Sequence, residues 1–175
     1  MPVSADQFRR ALRRWASGVS IVTTRGEAGI QGITVASFCS LSLDPPLVLI
    51  CIGRATRSHA RIEGGGAFAV NILRAEQAHL SDGAAGRTAD RETWLEGARF
   101  REVATGAPVL EGCLAWLDCK LVERHDGGDH SIFVGRVEAA GTGGGKPLLW
   151  FMSGYRRLAA RRSGPRRRGA PRSRR

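Results

Sequence analysis

Apolar positions follow two rhythms along this chain. At the start, Phe8, Ala11, Leu12 and Trp15 recur three and four apart behind Ser4-Ala5-Asp6, which offers an N-cap. That spacing predicts a helix running through Ser17, with Arg9, Arg10, Arg13 and Arg14 on its solvated face. Gly18 ends it, and the rhythm then becomes that of strands. Val19–Thr24 is rich in β-branched residues, Arg25–Gln31 carries two glycines and reads as a hairpin turn, and Gly32–Val35 alternates again. Further strands are predicted over Leu47–Ile52, Ala67–Leu73, Leu114–Arg124, His130–Ala139 and Pro147–Phe151. In Leu114–Arg124, Leu117, Cys119 and Leu121 face one way and Trp116, Asp118 and Lys120 the other, which predicts a half-buried antiparallel strand. Short helices are predicted over His59–Glu63, capped by Ser58 and closed by Gly64–Gly66, and over Ala75–Leu80. Ser81–Glu92 reads as a polar, Gly/Ala-rich loop, and Asp126–Asp129 as a turn. Six or seven strands with tight connections and few helices predict an antiparallel barrel with peripheral helices.

One stretch breaks the alternation. From Thr34 to Leu47, the hydroxyls of Thr34, Ser37, Ser40 and Ser42 are interleaved with Val35, Phe38, Leu41 and Leu43, and Pro45-Pro46 closes the run. It reads as an irregular segment at a strand end, with polar donors between apolar walls. That suits a flat ligand with an apolar ring face and a polar edge. A polar loop joining two barrel strands has the same pattern.

Length and charge narrow the field. A chain of 175 residues is long enough for one domain with its own core. The formal charge of +11 resembles a nucleic-acid signal, but residues 156–175 hold ten Arg and no acid, which leaves 17 Lys+Arg against 16 Asp+Glu in the rest. The body is nearly neutral, no aromatics interleave the arginines, and a nucleic-acid function is disfavoured. The division expected is a domain over 1–158 and an Arg-rich, disordered tail over 159–175, a solubilising or partner-docking arm. No signal-peptide core and no long apolar run occurs, so a soluble cytoplasmic protein is expected. Cys51, Cys113 and Cys119 lie in apolar runs and read as reduced thiols, and no metal site is indicated.

Two Gly-rich signals fail on inspection. Gly141–Lys146 is not a phosphate loop, because Ala140 and Pro147 stand where Gly and Ser or Thr belong. No Gly-x-Gly-x-x-Gly follows a strand, so a Rossmann nicotinamide site is unsupported. Gly53–Ser58 is a better anion candidate, since a helix N-terminus there has Arg54 and Arg57 beside it. An ordinary capped loop with solvated arginines fits the same residues.

Taken together, Gly32–Phe38 with Ser40–Leu47, Phe68–Leu73, Gly128–Val137 and Pro147–Phe151 with Tyr155 resemble, in order, the flavin reductases that supply two-component monooxygenases. The resemblance runs from about Phe8 to Leu158. It implies a six-stranded antiparallel split β-barrel that dimerises, with FMN or FAD at the subunit interface and NADH or NADPH as hydride donor. It assigns Thr34, Val35, Ala36 and Ser37 to the isoalloxazine and ribityl chain, Arg54, Arg57 and Ser58 to the phosphate, and Ser40 and Cys51 to the flavin site. His130 and Tyr155 would face the nicotinamide, with His130 the candidate catalytic residue and Asp129 placed to orient its ring. The chain departs from the family around Ala84-Ala85 and Asp90-Arg91-Glu92, where two aromatics are missing and Arg91 alone keeps a flavin-binding cation. The alternatives are a pyridoxamine-phosphate-oxidase-type flavin oxidase, which the Asp44–Leu47 corner and Gly-Asp-His segment disfavour, and a flavin-binding protein without turnover.

Overall fold

The computed structural model describes residues 2–26, 29–87 and 93–159. In chain order these form α1 (Ala5–Leu12), β1 (Ser17–Gly18), β2 (Ser20–Gly26), β3 (Gly29–Val35), β4 (Phe38–Leu43), β5 (Pro46–Gly53), α2 (Arg57–Gly65) and β6 (Ala67–Ile72). There follow α3 (Ala78–Ala84), β7 (Phe100–Arg101), β8 (Val109–Leu110), β9 (Ala115–Gly127), β10 (His130–Thr142), β11 (Leu149–Phe151) and β12 (Gly154–Arg156). The main sheet is antiparallel, in the order β3-β2-β6-β9-β10-β5-β4, and β1-β11-β12 makes a second sheet. The mainly β, antiparallel architecture with peripheral helices is the one expected.

β2 is buried along most of its length because each of its two faces meets a core. Val22, Val48, Ile50, Ile52, Phe68, Val70, Cys119 and Phe133 share one core, which α2 caps with Ile62. Ile21, on the opposite face of β2, joins Val19, Leu73, Leu80, Leu110 and Leu148 in a second core beneath α3. A strand covered on both faces reads as a continuous apolar run. Burial pushes the Cys119 thiol up to about 12, and it raises Cys51 and Cys113 as well; all four cysteines are free.

Several elements differ from the sequence expectation. The first helix stops at Leu12 because Arg14 and Trp15 donate to carbonyls three residues back and Ser17 is taken into pairing with Trp150. Its Ser4–Gln7 capping box is complete, but Phe8, Leu12 and Trp15 remain 55%, 54% and 73% exposed in the single chain. The Thr34–Leu47 stretch leaves the ladder at Ala36-Ser37; Phe38–Leu43 is the edge strand β4, with a register shift between Ser40 and Ser42, turned into β5 at Asp44-Pro45. Apolar and hydroxyl residues alternate there with the period of a strand that has one covered neighbour. The α2 N-cap is Thr56, whose hydroxyl accepts from the His59 amide, and not Ser58, which is buried. Gly66 closes α2 at φ 65°, a conformation glycine adopts without a Cβ clash. The Ala75 helix begins as a 3-10 turn and continues to Ala84 as α3, so residues 81–84 are helical and not loop.

β9 is covered on both faces at Asp118, not on one. Asp118 is fully buried and accepts from the Ala104 amide at 2.7 Å, the Thr105 amide at 3.0 Å and the Thr105 hydroxyl. Asn71, equally buried on β6, donates to the Ile21 carbonyl and to Thr23 Oγ1 and accepts from the Leu110 amide. These two polar side chains fasten the 104–110 segment onto the sheet. Among the described residues no helix is long and apolar enough to cross a membrane.

Candidate active site

The backbone step between β3 and β4 is the centre of the site. Ala36 and Ser37 are exposed and outside the ladder, and their amides donate to no protein acceptor among the described residues. The neighbouring hydroxyls are already committed as donors: Thr34 Oγ1 to the Ser81 carbonyl at 2.7 Å, and Ser37 Oγ to the Cys51 carbonyl at 2.8 Å. Cys51 returns a bond from its amide to the Ser37 carbonyl at 3.2 Å, so Ser37 and Cys51 form a stitch across β4 and β5. A ligand laid along 34–37 meets two free N–H groups and hydroxyl lone pairs. Val35 is buried, and Ser40 is exposed on the edge strand.

One end of this step leads to the N-terminus of α2. Arg54 is held to Asp126 at 2.6 Å, and Asp126 also accepts from Arg124 at 3.0 Å. Arg57 is exposed and makes no ion pair among the described residues. Ser58 is buried, as is His59, whose Nε2 lies 2.8 Å from Ser131 Oγ and fastens α2 to β10. His130 pairs with Gly53 in the β5–β10 ladder, and a Cβ on Gly53 would lie 3.6 Å from its Nε2. His130 Nδ1 is 2.8 Å from Asp129 Oδ1, and that bond holds the Asp129 carboxyl below its ordinary range. In the tautomer whose Nδ1–H donates to the carboxylate, Nε2 is an acceptor.

The other end opens into a cavity of about 220 Å³ lined by Thr34, Val35, Ala36, Ser81, Arg87 and Trp150, among others. Tyr155 reaches this end through β12: its ring meets Trp150 edge-on at 5.1 Å and its hydroxyl donates to Asp82 Oδ1 at 2.7 Å. Burial raises the Tyr155 pKa, with Asp82 adding to the effect. Arg87 lies over the Trp150 ring at 4.5 Å. Arg54, Arg57, Ser58 and His130 thus stand at the α2 end and Tyr155 at the cavity end, so His130 and Tyr155, expected together on the nicotinamide, are not brought together within one chain; Ser40 lies on the edge strand, and Arg91 lies outside the described residues. Among the described residues no cluster of metal-ligating side chains exists.

The flavin reductase like domain family matches this chain over residues 12–159. The chain belongs to that family. It is 40% identical over 154 residues to the reductase component of 4-hydroxyphenylacetate 3-monooxygenase from Thermus thermophilus, covering 87% of this chain and 96% of that one. It is 38% identical over 157 residues to an NADH-dependent FMN reductase, RutF 2, of Methylorubrum extorquens, covering 89% and 91%. The solved structure of the flavin reductase PheA2 superposes with a TM-score of 0.84 at 34% identity and covers 90% of this chain and 100% of that one.

In this flavin reductase three residues at the cavity end were missed from sequence. Trp150 lies in the Pro147–Phe151 run already singled out, but an aromatic in a strand reads equally as core. Asp82 and Arg87 sit in a stretch read as loop, and only the extension of α3 to Ala84 brings Asp82 under Tyr155.

Proposed function

We propose that this chain is the NADH-dependent reductase component of a two-component monooxygenase, reducing FMN or FAD and releasing it to a separate oxygenase. The observation that carries the reading is the pair of amides at Ala36 and Ser37 without a protein acceptor among the described residues, set between a cationic helix start and an aromatic cavity. The residues fit a flavin: an exposed guanidinium and the α2 N-terminus suit its phosphate, and the free amides suit the polar ring edge. When bound, flavin supplies the hydride acceptor for the nicotinamide C4 hydrogen.

The protein's own work is to hold and align. Arg57 and the first turn of α2 take the phosphate, with Arg54 a second cation already neutralised by Asp126. Ser58, buried beneath that turn, contributes by shaping it. The 34–37 backbone fixes the ring plane, with the Ser37–Cys51 stitch keeping it from moving. His130 presents Nε2 to a carboxamide N–H of the nicotinamide, and Asp129 fixes the ring that does so. Tyr155 closes the far side. A second copy of the chain completes the molecule: Phe8 and Leu12 on α1, Trp15 just beyond it, and Leu41 and Leu43 on the β4 edge lie uncovered in one chain.

The test is NADH oxidation with free FMN or FAD as acceptor. Turnover in excess flavin supports the reading; tight flavin binding with no NADH oxidation overturns it. Arg57→Ala is expected to weaken FMN binding about 10- to 100-fold without changing the melting temperature, the value of a charge-assisted hydrogen bond. An unchanged dissociation constant in a fluorescence titration moves the phosphate away from α2. Sedimentation at micromolar concentration is expected to give twice the 18.8 kDa chain mass; a species of the single-chain mass removes the second copy from the account.

A further inference from the structure

We propose that Arg87 stacked on Trp150 is the seat for the ADP half of a dinucleotide, and that it makes this site prefer dinucleotides to their mononucleotide fragments. The inference rests on the reductase reading. Four observations converge on it. The Arg87 guanidinium lies over the indole at 4.5 Å and lines the same cavity as Thr34, Val35 and Ala36. The indole is braced from its edge by Tyr155, which is tied to Asp82 at 2.7 Å, so the platform is held in place before a ligand arrives. The guanidinium itself is held loosely: its Asp82 contact is 3.4 Å, and the side chain is 49% exposed. Asp82 Oδ1 already takes the shorter Tyr155 bond, so it offsets the Arg87 charge without fixing it.

A guanidinium plane on an aromatic ring is a surface on which a purine stacks, and its edge matches phosphate oxygens. The flavin phosphate is already provided for at α2, beyond Ala36-Ser37. A second cation at the cavity end therefore suits a different phosphate, one carried with a purine. The ADP moiety is shared by NADH and FAD and absent from nicotinamide mononucleotide and FMN. Among the described residues at this end, the other polar groups are engaged: Ser81 gives its carbonyl to Thr34, and Tyr155 its hydroxyl to Asp82.

Calorimetric titration of wild type and Arg87→Gln with ADP, FMN and FAD, and of the FMN-loaded proteins with NAD⁺ and nicotinamide mononucleotide, tests it. ADP is expected to bind wild type and to lose about tenfold or more on substitution, a charged hydrogen bond being worth about 10- to 100-fold. A parallel loss for FAD but not FMN identifies the flavin as the source of the ADP half. A loss for NAD⁺ but not nicotinamide mononucleotide identifies the nicotinamide nucleotide, and the ratio of kcat/KM for NADH to that for its reduced mononucleotide then falls by the same factor. No ADP binding by wild type, unchanged ADP affinity in Arg87→Gln, or equal losses for ADP and FMN each overturn the proposal. Failure of the reductase reading itself looks different: wild type then oxidises no NADH with any flavin, whatever the calorimetry gives.

Discussion

Asp118→Ala is expected to lower the unfolding free energy by about 3 kcal/mol. Three donors from Ala104 and Thr105 converge on this one buried carboxylate. Hydrogen bonds to a charged acceptor contribute about 1.5–3 kcal/mol each, and water reaching the partly exposed loop recovers some of that. For a domain of this size such a loss lowers the melting temperature by roughly 6–12 °C. Asn71 still anchors Leu110 in the variant, so the loosening should be confined to the 102–107 side of the segment. Urea unfolding at neutral pH with hydrogen exchange at Ala104 and Thr105 measures both. A loss below 1 kcal/mol with those amides still protected would show that the loop is held by packing alone.

His130→Ala is expected to slow NADH-driven flavin reduction about a hundredfold while flavin binding survives. Hydride transfer moves no proton at the imidazole, so the effect comes from alignment. A ring displaced by about 1 Å from its reacting partner loses on the order of a hundredfold. His130 is well placed for alignment: its Nδ1 is fixed by Asp129, and it sits opposite Gly53 at the head of α2. His130→Asn, which keeps a polar amide near the Nε2 position, should recover part of the rate. Stopped-flow bleaching of bound flavin after mixing with NADH separates alignment from a purely structural role. If the bleaching rate is unchanged and only the melting temperature falls, His130 merely caps the β9–β10 turn.

Asp118 also shows what the sequence could not convey. Alternation along β9 put it on a polar outer face beside Trp116 and Lys120, which is correct for the strand. Nothing local says that residues 100–110 fold back over that face, because that contact is set by the carboxylate and by Asn71 a long way off in sequence. Strand order suffers the same limit, whereas most of the long strands and the α2 stop at Gly66 follow from local patterning and glycine placement; the edge strand β4 was read as an irregular segment, and the turn read over Asp126–Asp129 shortens to Gly128-Asp129 because β9 runs on to Gly127. At the candidate site, Ala36-Ser37, Arg57 and His130 were proposed from separate segments: an irregular strand end, a helix start with arginines beside it, and a Gly-Asp-His run. Thr56 displaced Ser58 as the cap because the helix starts two residues earlier than its apolar spacing indicates. Arg87 and Asp82 carried no signal, since their roles depend on a helix running one turn further than propensity predicts.

The central claim is that the protein passes hydride from NADH to a flavin that then leaves. Anaerobic incubation with NADH and a stoichiometric excess of FMN or FAD, followed by ultrafiltration, measures it directly. The account predicts complete flavin bleaching at one NADH per flavin, with reduced flavin in the filtrate able to reduce an acceptor that never meets the protein. Reduction that stops at one flavin per subunit, with the reduced flavin retained above the membrane, would contradict it.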